Sequence, residues 1–180
     1  MALRLLPRGA VIRLALCVSA TIVSTASTGR PASAQPAAPV HATISLVAED
    51  AAFQAGRTNW IGLLFEMEPG WHTYWRNPGD SGLPTTLAWT LPAGIEASSI
   101  EWPAPQLQRV GPLANFGYEG EVWLLASLRP AAGLAAAGTL ELKARADWLV
   151  CKEICIPEGV DLVLPLPVAA TAAPDPRWAA

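Results

Sequence analysis

Two cysteines lie close together in the stretch "RADWLVCKEICIPEGVD". Cys151 and Cys155 are separated by three residues, and the flanking residues have the character of β-strands. In an extended strand, residues four apart lie about 13 Å apart, whereas a disulfide needs Cα atoms within roughly 4.4–6.8 Å. One helical turn would bring such residues onto one face. We therefore predict a strand to about Val150, a tight turn carrying both sulfurs, and a second strand from about Ile156.

A disulfide between these cysteines favours redox chemistry over a structural role. The closed ring would hold five residues, for which the chain-entropy relation gives only about 2 kcal/mol of stabilisation, against about 4.7 kcal/mol for a 100-residue loop. A domain with a full hydrophobic core does not depend on that gain. Small, strained or exposed disulfides are also the easily exchanged ones. A local staple that rigidifies one turn remains the alternative.

The charges beside the cysteines indicate no strongly activated thiol. Exchange proceeds through a thiolate, so it depends on the thiolate fraction and on access. Lys152 would favour the anion, whereas Glu153, Glu158 and Asp147 would oppose it. This balance fits a domain whose rate is set by docking and by control of access.

A metal site is a third interpretation of the same sulfurs. Cys151 and Cys155 together with His41 and His72 could bind Cu(I) or Zn(II). The sequence has no second closely spaced pair of cysteines, and each histidine is expected at the surface or at a strand edge. We therefore predict no cofactor apart from the redox-active disulfide.

The N-terminus has the pattern of a secretory signal peptide. Three arginines precede the short apolar run of residues 14–23, and the small residues 32–34 offer a cleavage site before Gln35. The run is shorter than the roughly 20 residues that span a bilayer. The sequence thus predicts export to a compartment where disulfides persist, with residues 1–34, including Cys17, removed.

Cleavage would make the protein more acidic. The chain has 12 Lys and Arg against 15 Asp and Glu; residues 1–34 contain four arginines and no acid, so the net charge would change from −3 to −7. A negative charge of this size argues against nucleic acid or anionic lipid as a partner. The mature chain contains no apolar run long enough to be predicted as a membrane span.

Short strand-like segments separated by turn signals follow a loose leader at residues 35–40. The 17 Pro and 14 Gly leave little room for long helices. Regularly spaced short strands in a chain of this size indicate an all-β fold, an immunoglobulin-like antiparallel sandwich. We expect the domain over residues 41–167, and a linker or tail over residues 168–180. The predicted strands cover residues 41–49, 59–67, 70–77, 85–92, 95–103, 121–129, 138–150 and 159–167.

The loop "NPGDSGLP" after the third predicted strand has the composition of a turn. Asp80 and Ser81 have no visible base or metal partner in the sequence, so hydrolytic chemistry is not predicted. In the strand before this loop, alternation places His72 and Tyr74 on the side opposite the neighbouring tryptophans.

Four segments, in this order, resemble the periplasmic N-terminal domain of the DsbD/ScsB family of thiol:disulfide interchange proteins. They are "GWHTYWRNPGDSGLPT", "WPAP", "NFGYEGEV" and "ADWLVCKEICIPE", within roughly residues 38–167. The cysteine segment together with "GYEGEV" is the specific part. The resemblance implies an immunoglobulin-like sandwich with an exchange-active cysteine pair, working as a component of a protein-disulfide reductase in the periplasm.

The resemblance also implies roles for individual residues. The C-terminal cysteine of the family forms the mixed disulfide with the partner, a role that falls on Cys155, and Cys151 would resolve it. A family loop with an aromatic residue caps the disulfide, and "ANFGYEGE" matches that loop. Phe116 is therefore the first candidate for the capping residue and Tyr118 the second, although the residues alone fit Phe116 equally well to an ordinary core position.

The implied partners are a membrane-embedded electron-transfer domain of the same family, fed by cytoplasmic thioredoxin, and oxidised thioredoxin-like periplasmic proteins. We expect the domain to act as a monomer. Two features depart from the family. Its best-known members have five residues between the cysteines rather than three, and no transmembrane region follows here. A detached domain and a fragment cut after Pro167, tethered to the inner membrane in the full protein, are both open.

A second class of function is a non-enzymatic secreted β-sandwich that binds carbohydrate or protein and carries a structural disulfide. The eight tryptophans motivate it, because exposed tryptophan side chains can stack on sugars. The competing expectation is that the tryptophans in strand-like runs, namely Trp60, Trp71, Trp75 and Trp123, belong to the core.

Overall fold

The computed structural model describes residues 41–135 and 137–177, and the regular structure in these ranges is all β-strand. The predicted signal peptide, residues 1–34, and the predicted leader, residues 35–40, lie outside the described residues. The strands in chain order are β1 (Ala42–Ala48), β2 (Phe53–Gln54), β3 (Asn59–Met67), β4 (His72–Gly79), β5 (Thr86–Thr90), β6 (Ile95–Ala97), β7 (Gln106–Val110), β8 (Leu113–Glu119), β9 (Glu121–Pro130), β10 (Thr139–Cys151) and β11 (Cys155–Ala169).

The strands form two sheets, so the predicted immunoglobulin-like sandwich is confirmed. One sheet has the order β1-β3-β9-β6. The other has the order β2-β11-β10-β4-β8-β7, with β5 paired to β10 as well. Neighbouring strands are antiparallel, apart from the short parallel pair of β2 with β11. Within the described ranges, none of the structure is a helix that could cross a membrane.

The core lies between the sheets and fixes which way each side chain of β10 points. Every second residue of β10 from Leu142 to Val150 is buried, and Trp148 packs there with its ring at right angles to Phe65, 5.5 Å between centroids. Successive residues of a strand face opposite sides of the sheet. Cys151, which follows Val150, therefore belongs to the outer face.

Three strands are not predicted from the sequence, and two of them form a hairpin that supports the functional site. β7 and β8 pair along their length and are joined at Val110 and Leu113. β7 is exposed on both faces except at Gln108, so it lacks hydrophobic alternation. β8 contains Asn115 and Gly117, residue types that are depleted in strands. Only the first part of the predicted strand 95–103 forms a strand, β6. After it, Ser98 is hydrogen-bonded to Ser127 of β9, and Glu101 to Leu125 of β9.

β11 runs past the expected end of the domain and ties the following segment to the sandwich. Val168 is 8% exposed and pairs with the fully buried Phe53 of β2. Further on, the backbone N–H of Asp175 donates to the carbonyl of Glu49 at 2.9 Å. Hydrogen bonds from Arg177 lower the pKa of Asp175 to about 2. The segment whose composition favours a linker thus contacts the domain as far as Asp175.

We expect the segment after Pro167 to contribute to stability. A chain ending at Pro167 loses the buried side chain of Val168 and uncovers Phe53, so its free energy of unfolding should fall by about 1.5–3 kcal/mol, the value of burying one Val-sized side chain. Urea unfolding of this chain and of a chain ending at Arg177 measures the difference. Equal midpoints would show that the segment adds nothing to the fold.

Candidate redox site

The two cysteines close the hairpin of β10 and β11. These strands pair from Thr139 opposite Pro167 to Cys151 opposite Cys155, and the sulfurs form a disulfide with Cα atoms 4.1 Å apart. In the loop between them, the N–H of Lys152 donates to the carbonyl of Ile154 at 3.1 Å. The predicted turn between two strands is confirmed, but its helical form is wrong. Directly opposite residues of an antiparallel pair already lie about 4.5–5.5 Å apart, so the ladder itself brings the sulfurs together.

The two sulfurs differ in access. Cys151 is 2% exposed, whereas Cys155 is exposed. The loop beside Cys155 carries Ile154, which is 67% exposed. A thiol arriving from solvent therefore meets Cys155, while Cys151 is sheltered on the outer face of the sheet by other side chains.

Tyr74 of β4 contacts both sulfurs, and the sequence analysis does not single it out as a site residue. Its hydroxyl donates to Cys151 Sγ at 3.1 Å and lies 3.5 Å from Cys155 Sγ. Tyr74 is 1% exposed, and burial raises the pKa of its phenol, an effect that Ser81 partly offsets. Tyr74 therefore stays neutral at ordinary pH and offers Cys151 a hydrogen-bond donor. The available signal was the predicted alternation of β4, which separates Tyr74 from the core-facing residues.

His72 is the first residue of β4, so it lies at the end of a strand, but its side chain is buried beside the disulfide and not exposed at the surface. It is directly opposite Cys151 where β4 meets β10, and it is 5% exposed. Its ring stands at 79° to that of Tyr74, 5.4 Å between centroids. Burial lowers the pKa of His72 below its ordinary value, and the charge of Glu119 acts in the opposite direction.

The loop after β4 covers Tyr74. Gly82 has φ of +93°, and a Cβ atom at this position would collide with the Tyr74 ring. The loop is anchored to β8, because the N–H of Ser81 donates to Asn115 Oδ1 at 2.9 Å and the N–H of Ala114 donates to Asp80 Oδ2 at 2.8 Å. The segment predicted as a turn is therefore also a cover for the site.

Tyr118 belongs to the other face of the sheet. It is opposite Thr73, whereas Gly117 is opposite Tyr74, so Tyr118 and Tyr74 point to opposite sides. Tyr118 is 5% exposed within the core, and its hydroxyl donates to the carbonyl of Pro103 at 2.8 Å. Burial raises the pKa of Tyr118 to about 12. The structure thus brings Tyr74, and not Tyr118, to the disulfide.

Phe116 lies two residues before Tyr118 in β8, so the two side chains point to the same face of the sheet. It is 36% exposed, and its ring lies 6.4 Å from that of Trp75, centroid to centroid. Its partner across the β7–β8 hairpin is Leu107, which is also exposed. A capping role for Phe116 therefore stays a prediction, whereas the contact with both sulfurs belongs to Tyr74.

Two of the three acids near the cysteines, Asp147 and Glu158, form hydrogen bonds with other residues. Asp147 accepts hydrogen bonds from Arg145 at 2.8 and 3.0 Å, and Glu158 Oε1 accepts the backbone N–H of His41 at 3.1 Å. Lys152 extends over the turn at Gly70. In the described part of the chain, no three His, Cys, Asp or Glu side chains are arranged to hold a metal ion.

The tryptophans divide between the core and the surface. Trp71 and Trp75 pack against the core, as expected, and Trp148 is buried in it. Trp60 is 37% exposed, and Trp123 lies over Gly62. The expected core position is wrong for Trp60 and Trp123. Each lies next to core-facing residues of its strand, so its side chain points to the outer face of the sheet.

Replacing Tyr74 with Phe should raise the pKa of the Cys151 thiol. The variant keeps the buried ring but removes the donor to the sulfur, and a hydrogen bond to a charged group contributes about 1.5–3 kcal/mol, which equals roughly 1–2 pKa units. Thiolate absorbance in a reduced Cys155→Ser background measures this pKa. Tyr118→Phe, which removes the other buried hydroxyl, is the matched control; an equal shift in both variants would contradict a specific role for Tyr74.

Gly82→Ala should move Tyr74 away from the sulfurs. We expect the pKa of the Cys151 thiol to rise as it does in Tyr74→Phe, and stability to fall because of both the collision and the positive φ. Gly138→Ala is the control, since Gly138 has a similar φ of +90° with open space around it. If the Cys151 thiol has the same pKa in Gly82→Ala and in Gly138→Ala, the loop around Gly82 does not hold Tyr74 against the sulfurs.

Comparisons with known proteins agree with this geometry. Residues 43–167 match the family model described as thiol:disulfide interchange protein DsbD, N-terminal. The N-terminal periplasmic domain of ScsB from Proteus mirabilis is 26% identical, with a TM-score of 0.56, over 78% of this chain and 51% of that chain. The DsbD n-terminal domain from Neisseria meningitidis, in the reduced form, is 14% identical, with a TM-score of 0.34, over 73% of this chain and 90% of that chain.

The chain therefore spans about half the length of the ScsB structure that it matches. No curated protein sequence matches it. The family model nevertheless covers most of the chain and includes the disulfide hairpin. This chain belongs to the family of DsbD N-terminal domains of thiol:disulfide interchange proteins.

Proposed function

We propose that this domain carries reducing equivalents in the periplasm, from a membrane-embedded electron-transfer domain to oxidised thioredoxin-like proteins, through Cys151 and Cys155. The observation that carries the proposal is the asymmetry of the disulfide, which has one exposed and one buried sulfur. The family membership supports exchange chemistry at this pair. The description of the Proteus mirabilis relative as periplasmic, together with the predicted signal peptide, supports the location.

The asymmetry supports an order of reaction in which Cys155 reacts with the partner and Cys151 follows. A thiolate of the reduced membrane partner attacks Cys155 Sγ, the bond between the two cysteines breaks, and its electron pair goes to Cys151 Sγ. The second thiolate of the partner then attacks the partner's own sulfur and releases Cys155. The partner becomes a disulfide, and the domain becomes a dithiol.

Delivery to the oxidised periplasmic protein reverses these roles. The Cys155 thiolate attacks the disulfide of that protein and forms a mixed disulfide with it. Cys151 then attacks Cys155 Sγ, which restores the bond within the domain and releases the reduced protein. Because Cys151 is buried beside Cys155, this second step is intramolecular and has a high effective concentration.

Burial of Cys151 also explains how the reduced domain avoids unwanted reactions. A thiolate reacts only where a disulfide or an oxidant can approach it. Cys151 is covered by Tyr74, which is in turn covered by Gly82. Only the exposed Cys155 meets solvent, so a partner must dock at the hairpin to react.

The proposal predicts different reactivity of two single-cysteine variants. Cys151→Ala leaves the exposed sulfur and should form a mixed disulfide with a thioredoxin-like protein whose cysteine is activated with nitrothiobenzoate. Cys155→Ala leaves the buried sulfur and should react at least about tenfold more slowly, which corresponds to about 1.4 kcal/mol in the barrier. Release of nitrothiobenzoate measures both rates.

Two results would contradict the exchange function. One is failure of the Cys151→Ala variant to form the mixed disulfide while a small thiol reagent still labels Cys155. The other is a reduction potential of the native pair below about −300 mV, the range of structural disulfides. Equilibration of the native protein with glutathione buffers measures that potential.

A further inference from the structure

His72 is a buried ionisable group that the exchange scheme above does not use. It lies between Cys151 on β10 and Glu119 on β8, directly opposite each of them. Its Nε2 atom is buried and has no hydrogen-bond partner within the described residues. A buried polar atom without a partner is unfavourable and calls for a physical reason.

The register places His72 on the same face of the sheet as the sulfur that leaves. Directly opposite residues of an antiparallel pair have Cβ atoms about 4.5–5.5 Å apart and point to the same face. The imidazole of His72 and the sulfur of Cys151 therefore share the covered outer face, together with Tyr74 two residues further along β4.

The ionisable groups that face His72 come from three strands and one loop. Tyr74 stays neutral because burial raises the pKa of its phenol. Glu119 supplies a negative charge from β8, and Lys152 lies over the turn at Gly70, which precedes His72. In the disulfide form Cys151 carries no charge, and burial keeps His72 neutral.

We propose that His72 is the positioning residue for Cys151: it takes up a proton when the disulfide opens and holds the Cys151 sulfur as a thiolate. This inference rests on the exchange function proposed above and names the residue that serves its buried sulfur. Tyr74 supplies a neutral donor to that sulfur, whereas His72 supplies the compensating charge.

The protons and electrons of the step balance. The partner dithiol loses two electrons and two protons as it becomes a disulfide. The two electrons enter the bond between Cys151 and Cys155. One proton ends on the Cys155 thiol and the other on His72, so the buried pair is an imidazolium beside a thiolate. On delivery, Cys155 loses its proton and attacks the disulfide of the oxidised protein. The Cys151 thiolate then attacks Cys155 Sγ, and His72 returns its proton to solvent. The oxidised protein gains the two electrons and takes up two protons from solvent as it becomes a dithiol.

The coupling must be reciprocal, because each charge stabilises the other by the same free energy. The pKa of His72 is therefore higher in the reduced domain than in the disulfide form, and the pKa of the Cys151 thiol is lower with His72 than without it. The ion pair exists between these two pKa values in the reduced domain. It is lost as the pH rises through the pKa of His72.

Histidine NMR titration of the native protein tests this coupling without any substitution. The chain has two histidines, and His41, which stacks on Trp71 and contacts Glu68, is the internal control. We expect the pKa of His72 to rise by at least about one unit on reduction, as for a group that gains a neighbouring opposite charge, while that of His41 stays the same. The same His72 titration in both redox states would overturn the proposal.

His72→Phe tests the effect on the sulfur. Phe keeps a ring against Tyr74 but cannot take up a proton, so the pKa of the Cys151 thiol should rise in the reduced Cys155→Ser background. His41→Phe is the matched control and should leave it unchanged. An unchanged thiol pKa in His72→Phe would refute the inference; if that variant does not fold, the titration of the native protein decides.

The exchange assay separates this inference from the proposed function. In the native pair, the mixed-disulfide reaction and its resolution should depend on pH through His72, and His72→Phe should remove that dependence. If the native protein and His72→Phe exchange with the same pH profile, the role of His72 is wrong but the proposed exchange function stands. Failure of Cys155 to exchange at all would sink the proposed function, while the titration would still report on His72.

Discussion

The register of β10 against β11 is the constraint on which the site depends. The ladder places Cys151 opposite Cys155 at its last pair, so the disulfide follows from strand pairing and not from a special turn. A shift of one residue would move each side chain of β10 to the other face of the sheet. The alternating core residues from Leu142 to Val150 prevent that shift, because it would place them in water. The hydrophobic core therefore sets the position of the sulfurs.

The same parity argument explains why the outer face is not an ordinary exposed surface. β4 has His72, Thr73 and Tyr74 all buried, so neither face of the strand meets solvent at this point. Its inner face packs in the sandwich, and its outer face is closed by the cysteine hairpin and by Gly82. A cluster results in which a disulfide sulfur, a phenol and an imidazole are buried on one face of the sheet. Ionisation of any one of these groups requires a compensating charge or hydrogen bond from its neighbours, because a buried charge without a partner is unfavourable.

Much of the fold follows from hydrophobic alternation, which reveals strands that have one face in the core. It is visible in β9 and β10, where buried residues recur at every second position over residues 122–126 and 142–150. β3 is instead recognised as a buried strand, with a run of five buried residues over 61–65. Alternation misses β7, which is exposed on both faces, and β8, where Asn115 and Gly117 interrupt the pattern although both are buried. Asn115 is there to hold the loop over Tyr74, and such a long-range contact leaves no periodic signal.

The spacing of the two cysteines predicts a turn that carries both sulfurs, but it does not predict which side chains surround them. The sequence predicts His72 at the surface or at a strand edge, and it does not reveal that the cysteine hairpin buries this histidine. Tyr74 was placed on the correct side, but its contact with sulfur depends on where β10 ends relative to β4. Both depend on contacts between residues about 80 positions apart.

The cover and the cysteine hairpin differ in how far apart along the chain their parts lie. The two cysteines are four positions apart in the sequence, so they can meet while most of the chain is still unfolded. Tyr74, Gly82 and Asn115 arrive only when distant strands assemble. In the unfolded chain neither thiol is buried, so oxidation can join the two before the strands assemble. Folding then distinguishes the two cysteines, because it buries Cys151 and leaves Cys155 exposed to solvent.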